Sequence, residues 1–223
     1  MILLPTTQFQ TRSVDAMEQA APIYQIVTIS STDERRELLM DAALEVFTEK
    51  GFHFASMDDV AARAGVSKPI VYQYFSSKHE LYMGILDQSV ENLIAGITEV
   101  ISQETDNRKR VEAAIAFYFD RVEAADNSYR LIFESDFTTN ADVRARVDEF
   151  ISQLARIIGA DISRETGLSS AEANILAGAL GGMAQAGAWR WINLGRPIPK
   201  EKAVRGITYL AWTGLSQFPT HGR

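Results

Sequence analysis

From residue 33 onward, apolar residues recur at intervals of three and four, and this period constrains the fold more than any other feature of the chain. In the first such segment the acidic side chains fall on the face opposite the apolar stripe. That stripe consists of Leu38, Leu39, Ala42, Ala43, Val46 and Phe47. Breaks such as Gly167-Leu-Ser-Ser170 have the composition of turns. The spacing predicts an all-α chain of about nine helices, with a small N-terminal head and a larger C-terminal body.

The chain divides into three segments. Residues 1–32 have mixed composition, include Pro5 and Pro22 and show no lasting period, so we predict a flexible N-terminal arm. Residues 33–80 contain short segments separated by turn residues and form the predicted head. Residues 81–223 contain the long helices of the body.

Composition narrows the functional class. The 223 residues include no cysteine, which excludes disulfides, thiolate catalysis and cysteine-ligated zinc and is compatible with a reducing cytoplasm. No apolar run approaches the roughly 18 residues of a membrane span. The histidines, His53, His79 and His221, lack partners at metal-ligand spacing. We therefore expect a cytoplasmic protein with no membrane segment, no metal and no cofactor.

The net charge of −7 argues against binding to nucleic acid. Residues 31–90 contain six basic and ten acidic side chains. Most of these acids lie in the first helix, whereas Lys68 and Lys78 flank a later short helix. Charges separated by more than about 8–10 Å are largely screened in physiological salt. The positions of the charges therefore matter more than their sum.

A helix-turn-helix pattern occupies residues 56–75. Ser56-Met57-Asp58-Asp59 resembles a capping box that opens one short helix, and Gly65 stands where a tight turn tolerates positive φ. Ser67 is an N-cap candidate for the next helix, and Pro69 is acceptable in its first turn. Two short helices joined by a glycine turn describe this motif, whose second helix reads the major groove of DNA. An ordinary helical hairpin is the alternative.

The second helix can present a polar face to a groove. Val71 and Phe75 lie four apart and are expected to face the core. Glutamine can address adenine, lysine can address guanine or phosphate, and isoleucine can meet a thymine methyl group. The predicted DNA-binding residues are Ser56, Met57, Ser67, Lys68, Pro69, Ile70, Tyr72, Gln73, Tyr74 and Lys78.

The same strings resemble the signature of TetR-type regulators. The matching pieces are Gly51-Phe52, Ser56-Met57-Asp58-Asp59-Val60-Ala61, Gly65-Val66-Ser67-Lys68-Pro69, Tyr72-Gln73-Tyr74-Phe75, Lys78 and Leu81-Tyr82. The resemblance covers residues 34–90. It implies that Tyr72 and Lys78 contact phosphates while Lys68, Ile70, Gln73 and Tyr74 read bases. It also implies a homodimer with a ligand cavity in the body.

The body is similar to one branch of that family, the FasR-type regulators of fatty-acid synthase genes, which respond to long-chain acyl-CoA. The similar strings are Thr105-Asp-Asn-Arg-Lys-Arg110, Tyr129-Arg-Leu-Ile-Phe-Glu-Ser-Asp-Phe137 and Gly181-Gly-Met183 before Trp189. The resemblance thus implies an acyl-CoA effector and a role in lipid synthesis.

Aromatic and branched side chains could form the wall of an acyl tunnel, although each of them could equally pack an ordinary core. These ligand-binding candidates are Leu93, Ile97, Phe117, Phe119, Phe133, Phe137, Phe150, Leu154 and Met183. The basic residues Arg108, Lys109, Arg110 and Arg130 could contact CoA phosphates or be ordinary surface residues.

The eighth predicted helix is rich in small residues. Each glycine costs a helix about 1 kcal/mol relative to alanine, so close helix approach should compensate. The TetR-type resemblance places the dimer on the last two helices. The interface candidates are Gly178, Gly182, Ala186, Ile207 and Ala211.

Two other functions remain open from the sequence. The first is a TetR-type repressor of efflux or detoxification genes that senses a bulky hydrophobic compound. The second is an enzyme, for which Glu134 and Asp136 offer a carboxylate pair. Gly178-Ala-Leu-Gly-Gly182 does not follow a strand, so it is not a phosphate loop. A response that depends on acyl-chain length would separate the lipid regulator from the efflux regulator.

Overall fold

The computed structural model describes residues 32–124, 128–133, 137 and 139–215, and these residues contain nine α-helices and no strand. The helices are α1 (Thr32–Lys50), α2 (Met57–Ala64), α3 (Lys68–Tyr74), α4 (Lys78–Ser102), α5 (Asn107–Glu123), α6 (Ser128–Phe133), α7 (Ala141–Thr166), α8 (Ser170–Asn193) and α9 (Lys200–Leu215). The all-helical prediction is confirmed. The predicted arm lies outside the described residues except for Thr32, which begins α1.

Local signals position α2 and α3 as the sequence predicts. The Ser56 hydroxyl accepts from the Asp59 amide and the Asp59 carboxylate accepts from the Ser56 amide, which completes a capping box. Gly65 ends α2 in the left-handed region at φ +67°, where its amide donates to the carbonyls of Ala61 and Ala62. Ser67 precedes α3, and Pro69 occupies its first turn. The glycine turn therefore sets the angle between the two short helices.

The 25-residue helix α4 joins the head to the body. It begins at the Ser77 cap, packs against α1 in the head, and packs against α5, α6 and α7 in the body. The expected boundary at residue 80 falls in its first turn. One continuous helix therefore takes part in the packing of both head and body.

The body is built around α5, α7, α8 and α9, and its most extensive contact is between α7 and α8. Gly159 of α7 permits this contact, because a Cβ atom there would lie 3.2 Å from the backbone of Asn174 in α8. The two helices approach at their backbones, so the small residue is required by packing rather than by a turn.

One apolar core extends from the head into the body. Tyr82 lies at the junction, fully buried, and its hydroxyl donates to the carbonyl of Leu131 in α6 at 3.1 Å. Among the described helices, not one combines the length and the apolarity that a bilayer crossing would demand.

Candidate nucleic-acid interface and effector site

The exposed face of α3 is the candidate reading surface. Val71 and Phe75 point into the core with at most 1% of their surface exposed, as predicted. Tyr72 remains 46% exposed, and Gln73 is exposed beside it. Ser67, Lys68 and Pro69 are exposed as well, whereas Ile70 is half-buried. Tyr74 is half-buried and packs against the core, so it offers only part of its side chain.

The start of α2 offers backbone groups rather than side chains. The Ser56 hydroxyl donates to Asp59 Oδ2 at 2.7 Å and also accepts from the Asp59 amide, so it is committed to the cap. The side chain of Met57 is only 5% exposed. This corrects the expectation for Met57, because its thioether packs in the head core and only its main chain is available to DNA.

Asp59 is the central acceptor of that cap. It receives hydrogen bonds from the Lys50 ammonium at 2.6 Å and from the Ser56 amide at 2.9 Å. The hydrogen bond from Lys50, followed by those from Ser56, lowers the pKa of the Asp59 carboxyl to about 2. The negative charge at the first turn of α2 is therefore maintained across the physiological range.

Lys68, the first residue of α3, is held by Asp58. Its ammonium lies 2.8 Å from Asp58 Oδ2 in the first turn of α2. The hydrogen bond to Asp58 raises the pKa of Lys68. The ammonium is therefore charged, and one of its donors is occupied within the protein.

Lys78, at the start of α4, points back into the turn between α1 and α2. Its Nζ donates to the carbonyl oxygen of Phe52 at 2.6 Å and to that of Ala55 at 2.8 Å. It also lies 4.4 Å from the centroid of the Phe52 ring. Phosphate contact by Lys78 stays a prediction. In this structure the ammonium fixes the turn that precedes α2.

Most of the effector candidates form one closely packed apolar region. They come from α4, α5, α6, α7 and α8, so residues distant in the sequence meet in the body interior. Buried members are Leu93, Ile97, Phe119, Phe150 and Leu154, and half-buried members are Phe117, Phe133 and Met183. The Phe117 ring fills the space where a Cβ atom on Gly96 would stand, since that atom would lie 2.6 Å from the ring. Side chains already occupy this part of the core.

Phe137, another predicted effector residue, packs against aromatic side chains of the head, and its contact with an effector stays a prediction. Its ring stacks on Phe52, in the turn after α1, with centroids 3.6 Å apart. Edge contacts to Tyr82 at 5.2 Å and to His79 at 5.8 Å surround it. Phe137 therefore lies at the junction of head and body, near the place where α6 packs against α1 and α4.

The suggested basic contacts to CoA are dispersed. Arg108 and Lys109 are exposed in the first turn of α5, and Arg110 donates to the carbonyl of Glu104 at 2.7 Å. Arg130 is exposed on α6. The carboxylates Glu134 and Asp136, named for the enzyme alternative, and His221 lie outside the described residues.

A cleft that the sequence did not indicate lies where α5 meets the α8–α9 loop. It has a volume of about 560 Å³ and is lined by Glu123, Trp191 and Lys200 among others. Lys200 donates to Asp120 and to Glu123, each at 2.8 Å. These hydrogen bonds raise the pKa of Lys200, and the bond to Asp120 has the larger effect. The ion pairs join α9 to α5. The sequence does not indicate them, because Lys200 lies 80 positions from Asp120 and 77 from Glu123.

An apolar stripe on α8 faces solvent. Its members recur at intervals of four and three, and Ile175 is 73% exposed. The stripe consists of Ile175, Ala179, Gly182, Ala186 and Trp189. At Gly178 and Gly182 an added Cβ atom would meet nothing within 4 Å. This surface includes two of the three candidates from α8, Gly182 and Ala186, and the exposed Ile175 and Trp189 extend it, whereas Gly178 is half-buried.

The candidates on α9, Ile207 and Ala211, lie on the side of that helix that packs within the chain, and their place in a dimer interface stays a prediction. Ala211 is only 3% exposed, and Ile207 is half-buried beside Gly187 of α8. The outward face of α9 instead presents Tyr209 and Leu210, both about two-thirds exposed. A period of 3.6 identifies residues that share a face, but it does not reveal which face packs on the chain itself.

Comparisons with known proteins agree with the head geometry. A profile for the family described as "Bacterial regulatory proteins, tetR family" matches residues 39–83. The HTH-type transcriptional activator FasR of Mycolicibacterium smegmatis is 44% identical over 187 residues, which cover 84% of this chain and 85% of FasR. The fatty acid metabolism regulator protein of Bacillus subtilis is 22% identical over 121 residues, covering 54% of this chain and 62% of that protein.

A solved structure extends the comparison over the body. The Bacillus subtilis regulator FadR in complex with stearoyl-CoA matches with a TM-score of 0.68 at 18% identity. The match covers 80% of this chain and 98% of FadR. At this identity the likeness shows a shared fold.

Proposed function

The chain belongs to the TetR family of bacterial regulatory proteins, and we propose that it binds a palindromic operator as a homodimer and controls fatty-acid or lipid synthesis genes in response to long-chain acyl-CoA. Membership of the family makes it a DNA-binding transcription regulator and excludes the enzyme alternative. The extent of its identity to FasR supports the assignment to lipid genes.

The exposed face of α3 carries the DNA-binding part of the proposal. Tyr72 and Gln73 project from α3 while Val71 anchors it in the core, which leaves the outer face free to enter a major groove. Gln73 can accept from and donate to adenine, and Lys68 can donate to guanine. Tyr72 is suited to a phosphate, because its hydroxyl stands at the end of a rigid ring.

The exposed stripe on α8, together with Tyr209 and Leu210 on α9, supports the homodimer. Large apolar side chains spaced along one helix face indicate a surface that a partner covers. A second copy offers the same stripe, so a two-fold axis between the two copies would bring their α8 and α9 surfaces together and bury both stripes. Two reading helices related by such an axis bind half-sites about 34–36 Å apart, which makes the operator palindromic.

Two observations support an acyl-CoA effector. FadR, which shares this fold, was crystallised with stearoyl-CoA. In this chain large apolar side chains are abundant inside the body, where Phe119 of α5 and Phe150 and Leu154 of α7 are buried. An acyl chain would have to displace these packed side chains. Each buried methylene contributes about 0.8 kcal/mol, so only long chains could offset that displacement.

Operator selection followed by acyl-CoA titration tests the proposal. The full chain should select a palindrome from a random duplex library, and acyl-CoAs of increasing length should shift its affinity for that palindrome progressively. Free CoA serves as the matched control and should have little effect. A response that does not change with chain length would reject the acyl-CoA effector, and a response to bulky drugs instead would favour the efflux regulator. Selection of non-palindromic DNA would reject the dimeric mode of binding.

A further inference from the structure

Three basic side chains around α2 and α3 are paired with carboxylates of the same chain. The pairs are Lys50 with Asp59, Arg63 with Glu45 and Glu49, and Lys68 with Asp58, at distances of 2.6 to 2.8 Å. Two of these groups have a structural role. Asp59 belongs to the cap of α2, and Arg63 joins α2 to α1. The pair between Lys68 and Asp58 belongs neither to the cap of α2 nor to a contact with α1.

Lys68 and Asp58 meet on the surface proposed to face DNA. Lys68 begins the reading helix α3, and Asp58 lies in the first turn of α2 without taking part in its cap. Their side chains are 48% and 65% exposed. Exposed ion pairs contribute little to folding stability. The pair is therefore placed to influence binding more than folding.

We propose that Asp58 determines sequence specificity by reserving the Lys68 ammonium for base edges and withholding it from DNA phosphates. An ammonium has three donors, of which Asp58 takes one. Lys68 can therefore donate to the neutral O6 and N7 acceptors of guanine while it remains paired. A phosphate carries a full negative charge, so the Asp58 carboxylate opposes its approach to the same ammonium.

The consequence is selective weakening of non-specific binding. Non-specific affinity comes from cations that neutralise phosphates and release counterions. If Asp58 withholds Lys68 from that role, random DNA loses one contact for each reading helix, whereas the operator keeps its contact with Lys68. Specificity is a difference between two affinities, and opposing the wrong complex increases it. This inference rests on the proposed docking of α3 in the major groove.

The experiment compares Asp58→Asn with wild type on two probes, which are random-sequence duplex DNA and the palindrome selected by the wild-type protein. On random DNA the plot of log affinity against log salt should become steeper by about 0.9 for each reading helix. For a dimer with two reading helices the slope changes by about 1.8, so the gain in affinity should be about 12-fold larger at 50 mM than at 200 mM salt. Affinity for the palindrome should change less, so the specificity ratio should fall.

Two variants serve as controls. Asp41→Asn removes the same charge from the exposed face of α1, whose packing partners are α2, α4 and α6, and it should leave the slope unchanged. Asp58→Glu keeps the charge and should retain the wild-type ratio. Unfolding midpoints and circular dichroism of all variants should match, since Asp58 is outside the cap.

A wild-type slope on random DNA for Asp58→Asn would overturn the inference. So would weaker binding of that variant to the palindrome alone, which would make Asp58 a group that reads a base or orients Lys68. Failure of the wild-type protein to select any DNA would overturn the proposed function and the inference with it. The two failures are therefore distinguishable.

Discussion

The Phe137 ring stacks on the Phe52 ring with centroids 3.6 Å apart and planes inclined by 11°. Phe52 belongs to the turn between α1 and α2, whereas Phe137 lies in the segment between α6 and α7. Both rings are at most 8% exposed. The contact joins the turn that positions α2 to a body segment. A rearrangement of the body that moves α6 or α7 would act on the DNA-binding head through this contact.

Replacement of Phe137 by alanine should therefore destabilise the protein and weaken operator binding together. Loss of a buried phenylalanine usually costs about 3–5 kcal/mol, which urea unfolding would measure. Phe137→Leu retains most of the apolar volume and should lose less. Equal stability of Phe137→Ala and wild type would show that the stacking does not support the junction.

The α8 stripe predicts that glutamate substitutions at two exposed isoleucines will have very different effects on dimerisation. Ile175→Glu places a charge in the proposed interface and should convert the dimer to a monomer that no longer retards operator DNA. Ile151, which is 44% exposed on α7, is the matched control, and Ile151→Glu should remain dimeric. Sedimentation velocity measures both. A dimer that persists in Ile175→Glu argues that the association surface lies elsewhere.

Two helix glycines should differ in their response to alanine. At Gly159 the new Cβ atom would press on the backbone of Asn174 at 3.2 Å, whereas at Gly181 it would lie 3.9 Å from the Tyr118 hydroxyl, an ordinary contact. Both variants gain the same helix propensity, so their difference isolates the overpacking. We expect Gly159→Ala to be less stable than Gly181→Ala by about 1–3 kcal/mol in denaturant unfolding. Equal stability of the two variants would contradict the close approach of α7 and α8 at Gly159.

The cap of α2 should contribute to the acid dependence of stability. The pKa of Asp59 falls from 3.8 to about 2 on folding, chiefly through the hydrogen bond from Lys50. A lowered folded pKa stabilises the protein above the unfolded value, and that contribution disappears as pH falls from about 4 to about 2. Asp59→Asn should lack this part of the acid transition, while Asp41→Asn should retain it. Urea unfolding at a series of pH values provides the comparison, and identical profiles for Asp59→Asn and wild type would contradict it.

Substitutions of Tyr72 and Lys78 should differ in their effect on stability, although both residues are predicted to contact phosphates. Tyr72→Ala removes an exposed neutral group from α3, so it should weaken binding to all DNA sequences without changing the salt dependence or the stability. Lys78→Met also leaves the carbonyls of Phe52 and Ala55 without their donor, so it should lower stability as well. Thermal unfolding measures the effect on stability, and DNA titration of the same variants measures the effect on affinity. A Lys78→Met protein as stable as wild type would exclude the role of Lys78 in the turn.

The sequence by itself determined the features that depend on local spacing. Ser56 and Asp59 form a cap because they are three positions apart, and Gly65 turns the chain because it tolerates positive φ. Val71 and Phe75 share the buried face of α3 because they stand one turn apart. The helix-turn-helix and its outward residues therefore follow from interactions within about 20 residues, which a sequence displays directly.

Only the tertiary structure decided which groups meet across long separations. Lys68 meets Asp58 because the turn at Gly65 folds α3 back on α2, and Phe137 meets Phe52 because α6, the helix before Phe137, packs against α1. On α9 the residues Ile207 and Ala211 share an apolar face, and that face packs within the chain, where α9 contacts α5 and α8. Periodicity identifies such a face but not its partner, because the partner is selected by how all the helices pack together.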